Sequence, residues 1–139
     1  MSADTHTQVD ARAVASKLFE HLESAWNAAD GAASGDVFAD ETDFVNIRGE
    51  HFRGDGVMIG EAHQGIFDTI YLGSTMHYEV EVAREIAPGC IVAVVTSTLD
   101  APTGPLQGVN QSRITGVITG RDGDWSIIAF QNTLVMNIV

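Results

Sequence analysis

The side chains able to carry chemistry are few and scattered along the chain. His63 stands in Ala62-His63-Gln64-Gly65-Ile66, beside the apolar positions of a helical stripe. A histidine there could line a pocket and act as a general acid or base near neutral pH. It could equally be a buried, hydrogen-bonded core histidine, and both readings stay open. Asp43 and Asp40 are two acids near a strand start. Such a pair can divide the acid and base roles of a reaction, or form a solvated turn. Arg113 sits between Ser112 and Ile114 in a β-rich stretch, where a charge needs a partner. A ligand carboxylate would serve, as would a structural acid such as Glu79. Gln131-Asn132 interrupts an apolar strand, so one of the two is expected to face a pocket, and Asn132 is the candidate. Tyr78, on another long strand, and Asn46 add hydrogen-bonding groups. Trp26 and Phe67, like Phe38 and Phe44, are core or ligand wall; in a small fold with a pocket these are one surface.

The remaining chemistry is thin. The five histidines (His6, His21, His51, His63, His77) form no His-X3-His pair, and one cysteine makes no Cys-X2-Cys pair. No metal is expected. Gly54-Asp-Gly-Val-Met-Ile-Gly60 lacks the lysine of a phosphate loop. No Gly-X-Ser-X-Gly elbow and no dinucleotide fingerprint are present, so no cofactor is expected. Cys90 follows the turn Ala87-Pro88-Gly89, away from any helix start, and reads as a small strand-end residue.

Three helices and a set of strands must position these groups. Val14, Leu18, Leu22, Ala25 and Ala29 repeat at helical steps, and Trp26 widens the stripe. A second, short helix is expected over Ala32 to Phe38. The period then changes: Thr42 to Ile47 reads as a strand, Arg48-Gly49-Glu50 as a turn, and His51 to Arg53 as a return strand. Asp55 is a good N-cap for a third helix carrying Ile59, Ala62, Ile66, Phe67 and Ile70, with Gly73 as its C-cap glycine. From Thr75 the pattern is sheet. Met76, Tyr78, Val80 and Val82 alternate with polar residues, and Ile91 to Leu99 reads as a strand covered on both faces. Strands follow over Val109 to Thr119 and Trp125 to Val135, joined by the hairpin signal Asp122-Gly123. Helices first and antiparallel strands later is an α+β order. A curved antiparallel sheet with three helices packed into its concave face makes a cone with a pocket between helices and sheet.

The segments Ala25-Trp-Asn-Ala-Ala-Asp30, Val37 to Val45, Arg48-Gly-Glu-His-Phe-Arg-Gly54, Ala62-His-Gln-Gly-Ile-Phe-Asp68 and Trp125 to Thr133 resemble the nuclear transport factor 2-like superfamily. Within it they look most like the SgcJ/EcaC-type, SnoaL-like branch. The resemblance implies a cone-shaped α+β barrel and a homodimer packed through the sheet. It does not fix a reaction, because the superfamily holds isomerases, cyclases, dehydratases and transport factors. Ketosteroid isomerase needs a carboxylate base on the first strand and a tyrosine on the first helix. Aligned without a gap over Asn27 to Glu41, this chain has Asn46 in place of the base and Leu22 in place of the tyrosine. Asparagine takes no proton at neutral pH, so that isomerase mechanism is not expected here.

Composition sets the outer limits. The chain has 139 residues, 7 Lys+Arg against 19 Asp+Glu, and a formal net charge of −12. Phosphate binding needs clustered Lys and Arg, so nucleic acid is not an expected partner, nor is an anionic membrane surface. No apolar run of about 20 residues offers a membrane span. The polar start, Met1 to Gln8, has no signal-peptide stretch, and the cytoplasm is the expected compartment. One domain over residues 1–139 is expected, with 1–9 flexible. The apolar end, Thr133 to Val139, is expected to be covered by the helices or used in an oligomer. Three functions follow: a cone holding an apolar or polyketide-like small molecule through Trp26, Asn46, His63, Phe67, Tyr78, Arg113 and Asn132; a cofactor-independent acid–base enzyme using His63 or Asp43; or a dimerising module with a relic pocket.

Overall fold

A computed structural model describes residues 9–136. Helices α1 (Ala11–Asn27) and α2 (Gly31–Gly35) come first, then strands β1 (Phe38–Val45) and β2 (His51–Gly54), helix α3 (Gly56–Phe67), and strands β3 (Thr75–Ala87), β4 (Cys90–Ala101), β5 (Gly108–Arg121) and β6 (Asp124–Leu134). The strands form one sheet in the order β2-β1-β6-β5-β4-β3. Every pairing is antiparallel except β1 with β6, which is parallel, so the sheet is mixed and its ends do not meet. The register shifts in β1, in β3 and between Val117 and Ile118 of β5. Such irregularities bend a strand and raise its twist, and the sheet curves around the helices.

The helix starts follow the sequence. Asp10, Asp30 and Asp55 each cap a helix by accepting a hydrogen bond from the backbone N–H three residues on. Several boundaries differ from expectation. Ala29 is not helical: it takes a left-handed φ of 52° after α1 has ended. The second helix stops at Gly35, and Phe38 opens β1. The third stops at Phe67, where Asp68 N–H bonds back to Gln64 O. Ile70 and Gly73 (φ 75°) lie in the irregular turns that follow. In β3 the shift after Val80 reverses the alternation, so Val82 turns outward and Ala83 inward. In β4 only Ile91, Ala93, Val95, Ser97, Leu99 and Ala101 are buried, while Val92 and Val94 on the other face are half-exposed.

Two apolar clusters fill the concave side. One joins Phe19 and Leu22 of α1 and Ile59 of α3 to Val95, Ile114, Ile127 and Phe130 of the sheet. The other joins Trp26, Phe67, Met76 and Leu99. Val9 packs on the first cluster, while residues 1–8, part of the segment expected to be flexible, lie outside the described residues. Of the apolar end, Val135 and Met136 are exposed, and residues 137–139 lie outside the described residues.

Helix α1 also closes the free edge of β3. The Asn27 side chain donates to Met76 O (3.1 Å) and accepts from Met76 N–H (2.8 Å). Glu23 accepts from Tyr78 N–H (2.7 Å), and Arg12 donates to Val80 O (2.7 Å) and Glu81 O (2.8 Å). Polar side chains thus replace a neighbouring strand along half of an edge that would otherwise offer itself for pairing.

Candidate functional site

Helix α3 forms one wall of a cavity, and it is held by an unusually close approach to α2. A Cβ built on Gly60 would lie 2.6 Å from Gly31 O, so only glycine permits the contact. Gln64 Oε1 accepts from Gly31 N–H at 2.8 Å and pins the same pair. This packing turns Ile59, His63 and Ile66 toward the sheet. Alternation along the strands supplies the other walls: Phe44 from β1, Met76 and Tyr78 from β3, Ser97 and Leu99 from β4, Ser112 from β5, Phe130 and Asn132 from β6. Trp26 of α1 closes one end and Tyr71 and Leu106 flank it. The cavity, open at a mouth, has a volume of about 570 Å³.

Aromatic rings build most of the surface. Phe44 stacks on Phe130 with centroids 4.5 Å apart, and Trp26 meets Phe67 edge-on at 4.9 Å. His63 sits in this collar, 5.5 Å from Phe44 and 6.3 Å from Trp26, near-perpendicular to both. Its Nδ1 is 2.8 Å from Ile59 O. A carbonyl only accepts, so Nδ1 carries the proton and Nε2 is left as a bare acceptor in the neutral ring. Burial pushes the His63 pKa below its ordinary value, against the smaller opposing effect of the Ile59 bond, and keeps the ring neutral at pH 7.

The other polar groups are also uncharged at neutral pH. Burial, aided by the nearby Glu23 charge, pushes the Tyr78 phenol up. Burial raises Tyr71 too, outweighing the opposing pull of Arg48. Ser97 and Ser112 face each other across β4 and β5, and their buried hydroxyls are hydrogen-bonded together. Asn132 Oδ1 is buried and has no hydrogen-bond partner among the described residues. The indole N–H of Trp26 is engaged, donating to Ser74 Oγ at 2.9 Å.

Trp26, Asn46, His63, Tyr78 and Asn132 therefore line one cavity. Asn46 does so at the rim with its amide occupied: Oδ1 accepts from the N–H groups of Arg48 and Glu50, and Nδ2 donates to Glu50. Three expected site residues lie elsewhere. Arg113 is exposed on the outer face of β5, because Ser112 and Ile114 take the inward parity; no ion pair joins it to Glu79 among the described residues. Asp43 points away from the cavity, since Phe44 points in, and it bonds His51 Nε2 (2.8 Å) with Arg53 at 3.5 Å. Phe67 lies behind the wall, buried against Trp26 and 6.0 Å from His63. Ser112 and Tyr71 are lining residues that residue type alone does not flag. The signal for Ser112 is pairing register, which places it opposite Ser97. Among the described residues, no group of three or more His, Cys, Asp or Glu could hold a metal, and no helix is long and apolar enough to cross a membrane.

No family model and no curated protein matches the chain by sequence. Solved structures do. An uncharacterized protein with a cystatin-like fold from Caulobacter vibrioides is 30% identical, with 92% of each chain covered and a TM-score of 0.80. A ketosteroid isomerase-like protein from Erwinia carotovora atroseptica is 14% identical, covering 92% of this chain and 98% of that one, TM-score 0.73. A nuclear transport factor 2-like protein of unknown function from Shewanella oneidensis is 15% identical, covering 88% and 98%, TM-score 0.72. With its helices laid into the concave face of a curved, open, six-stranded sheet, the chain has the cystatin-like fold of its Caulobacter vibrioides relative and belongs with that protein.

Proposed function

We propose that the protein binds an apolar, polyketide-like small molecule in the cavity between its helices and sheet, as a cytoplasmic member of the SgcJ/EcaC-type branch. One observation carries this: about 570 Å³ of space remains among side chains that elsewhere pack closely. That volume is within the range of small-molecule sites, and apolar walls with a few placed polar atoms are their usual make-up. His63, Tyr78 and Asn132 supply the polar contacts, with Trp26 and Phe44 as ring-stacking walls. Native mass spectrometry of gently purified protein tests the proposal. A bound small mass that is lost on denaturation is expected. Protein without added mass, and without a melting shift against a panel of aromatic ring compounds, overturns it.

A second reading, an acid–base enzyme without cofactor, is favoured by the bare Nε2 of His63. That atom could take a proton from a carbon next to a ligand carbonyl and return it at another position, as an isomerase does. Asp43 has no part in it, being on the outer face. The test is turnover that falls with His63→Leu while ligand affinity stays within a few-fold.

The outer sheet face, where Val82, Val92 and Val94 are exposed or half-exposed, is proposed as a homodimer contact. A sedimentation mass of twice 14.8 kDa is expected. A monomer at micromolar concentration would refute it.

A further inference from the structure

The polar atoms of the cavity select among apolar ligands. We infer that the site takes an uncharged ring compound bearing a hydroxyl group, whose O–H donates to Nε2 of His63, and that it rejects the matching carboxylate. This rests on the cavity being a binding site.

Three observations carry it. First, the tautomer is fixed from within the helix: Ile59 O holds the Nδ1 proton, so the cavity meets a lone pair at Nε2. No group among the described residues hydrogen-bonds to Nε2. The imidazole is surrounded by Phe44, Trp26 and Phe67, none of which has a free donor to offer. An acceptor in such a collar favours a ligand donor, since a ligand without one leaves it desolvated and unpaired. Second, among the described residues no carboxylate lines the cavity, and the only permanently charged lining residue is Arg48. The Arg48 guanidinium is mostly exposed at the mouth and already pairs with Glu50 at 2.6 Å. A ligand carboxylate would lose its hydration with no free cation to meet it. It would also face the Nε2 lone pair. Third, Tyr71, Tyr78 and the Ser97–Ser112 pair are neutral hydroxyls that can give or accept a hydrogen bond. They accommodate a second oxygen on the ligand without choosing its type. Two unpaired acceptors do choose: Nε2 of His63 within the aromatic collar and Oδ1 of Asn132 on β6.

The test uses three probes of one ring system at pH 7.5, where His63 is neutral: naphthalene, 2-naphthol and 2-naphthoate. Affinities are measured by calorimetry on the full chain. 2-Naphthol is expected to bind roughly five- to tenfold more tightly than naphthalene, the worth of one hydrogen bond, and 2-naphthoate more weakly than either. His63→Leu should lose the preference for the naphthol over naphthalene, whatever its affinity for naphthalene itself. His63→Gln, which keeps an acceptor, should restore part of it. The nitrogen-15 resonance of His63 Nε2 in the unmodified protein gives a reading that needs no variant. It should move on adding 2-naphthol and stay in place with naphthalene. Equal affinity for naphthol and naphthalene, naphthoate binding as tight as naphthol, or a preference that survives His63→Leu each overturns the inference while leaving the binding site standing. Failure of all three compounds to bind strikes the binding reading itself, and the inference falls with it.

Discussion

Replacing Asn132 with leucine should make this protein more stable and a poorer binder. Asn132 lies on the inward parity of β6, opposite Ile114 of β5 and two residues from Phe130. Its Oδ1 is buried with no partner among the described residues. A buried carbonyl oxygen without a hydrogen bond costs about 1–3 kcal/mol. Leucine has the same number and branching of side-chain heavy atoms, its added bulk can extend into the adjoining cavity, and it would put apolar atoms among apolar neighbours. Asn132→Leu is therefore expected to raise the unfolding free energy by about 1–3 kcal/mol. For a chain of this length that is a melting rise of roughly 3–4 °C for each kcal/mol. The assay is urea unfolding followed by tryptophan fluorescence, with both proteins at the same pH and free of added ligand. An unchanged slope against urea should accompany the shifted midpoint, because the surface exposed on unfolding hardly changes. A midpoint that falls, or stays put, refutes the reasoning, because it means the amide is satisfied in the folded protein. Affinity for the cavity ligand should fall in the same variant. That pairing of higher stability with lower binding is the mark of a polar group kept for function.

Three further outcomes follow from other parts of the molecule. The neutral, half-buried His63 makes the protein acid-sensitive. The unfolded chain takes up a proton near pH 6.5 and the folded chain only at lower pH, so stability is full above pH 6.5 and declines as pH falls below it; unfolding at pH 7.5 and 5.5 should show a smaller drop in His63→Leu. Gly60→Ala places a Cβ against the Gly31 carbonyl. It should destabilise by about 1–3 kcal/mol and weaken ligand binding by moving α3, whereas Gly65→Ala, whose Cβ would meet nothing within 4 Å, should be neutral or slightly stabilising in thermal unfolding. Asn27→Ala uncovers the Met76 N–H and carbonyl at the β3 edge, and a loss of about 1–2 kcal/mol with increased aggregation on heating is expected by light scattering.

The fold was legible because each element announced itself locally. Asp55 marked the start of the third helix, the apolar period changed from about four to two at Thr42, and turn glycines separated the long strands. What local pattern could not supply was anything set by pairing. The parallel join of β1 to β6 brings together residues more than 80 positions apart, and nothing in either strand encodes its partner. The reversal of parity after Val80 is of the same kind. Met76 to Val82 alternates without a break in sequence, and only the register against β4 shows where one residue is extra. The early stop of α3 is different: Ile70 continues the apolar period of the helix, but turns between Gly65 and Ser74 satisfy the backbone instead.

The same division explains the site. His63 could be singled out because helical periodicity fixes which side of a helix a residue occupies, and the helix is self-contained. Residues on strands were harder, since a chemically attractive side chain and its plain neighbour differ by a single step. Arg113 drew attention by its charge, yet Ser112 beside it is the one that faces the cavity; Asp43 drew attention as a possible base, yet Phe44 beside it is the wall. In both cases the burial rule decides against the charged residue: an unpaired charge is expensive inside, so the inward parity falls to the apolar or small partner. Applied to the whole sheet, that rule predicts a cavity whose inner surface is neutral. The lining bears this out, with tyrosine, serine, asparagine and glutamine as its strand-borne polar groups. A proton transfer in such a space needs an inward group with a free lone pair, and the imidazole of His63 supplies one. Its Nε2 is the atom on which both the binding and the catalytic readings turn.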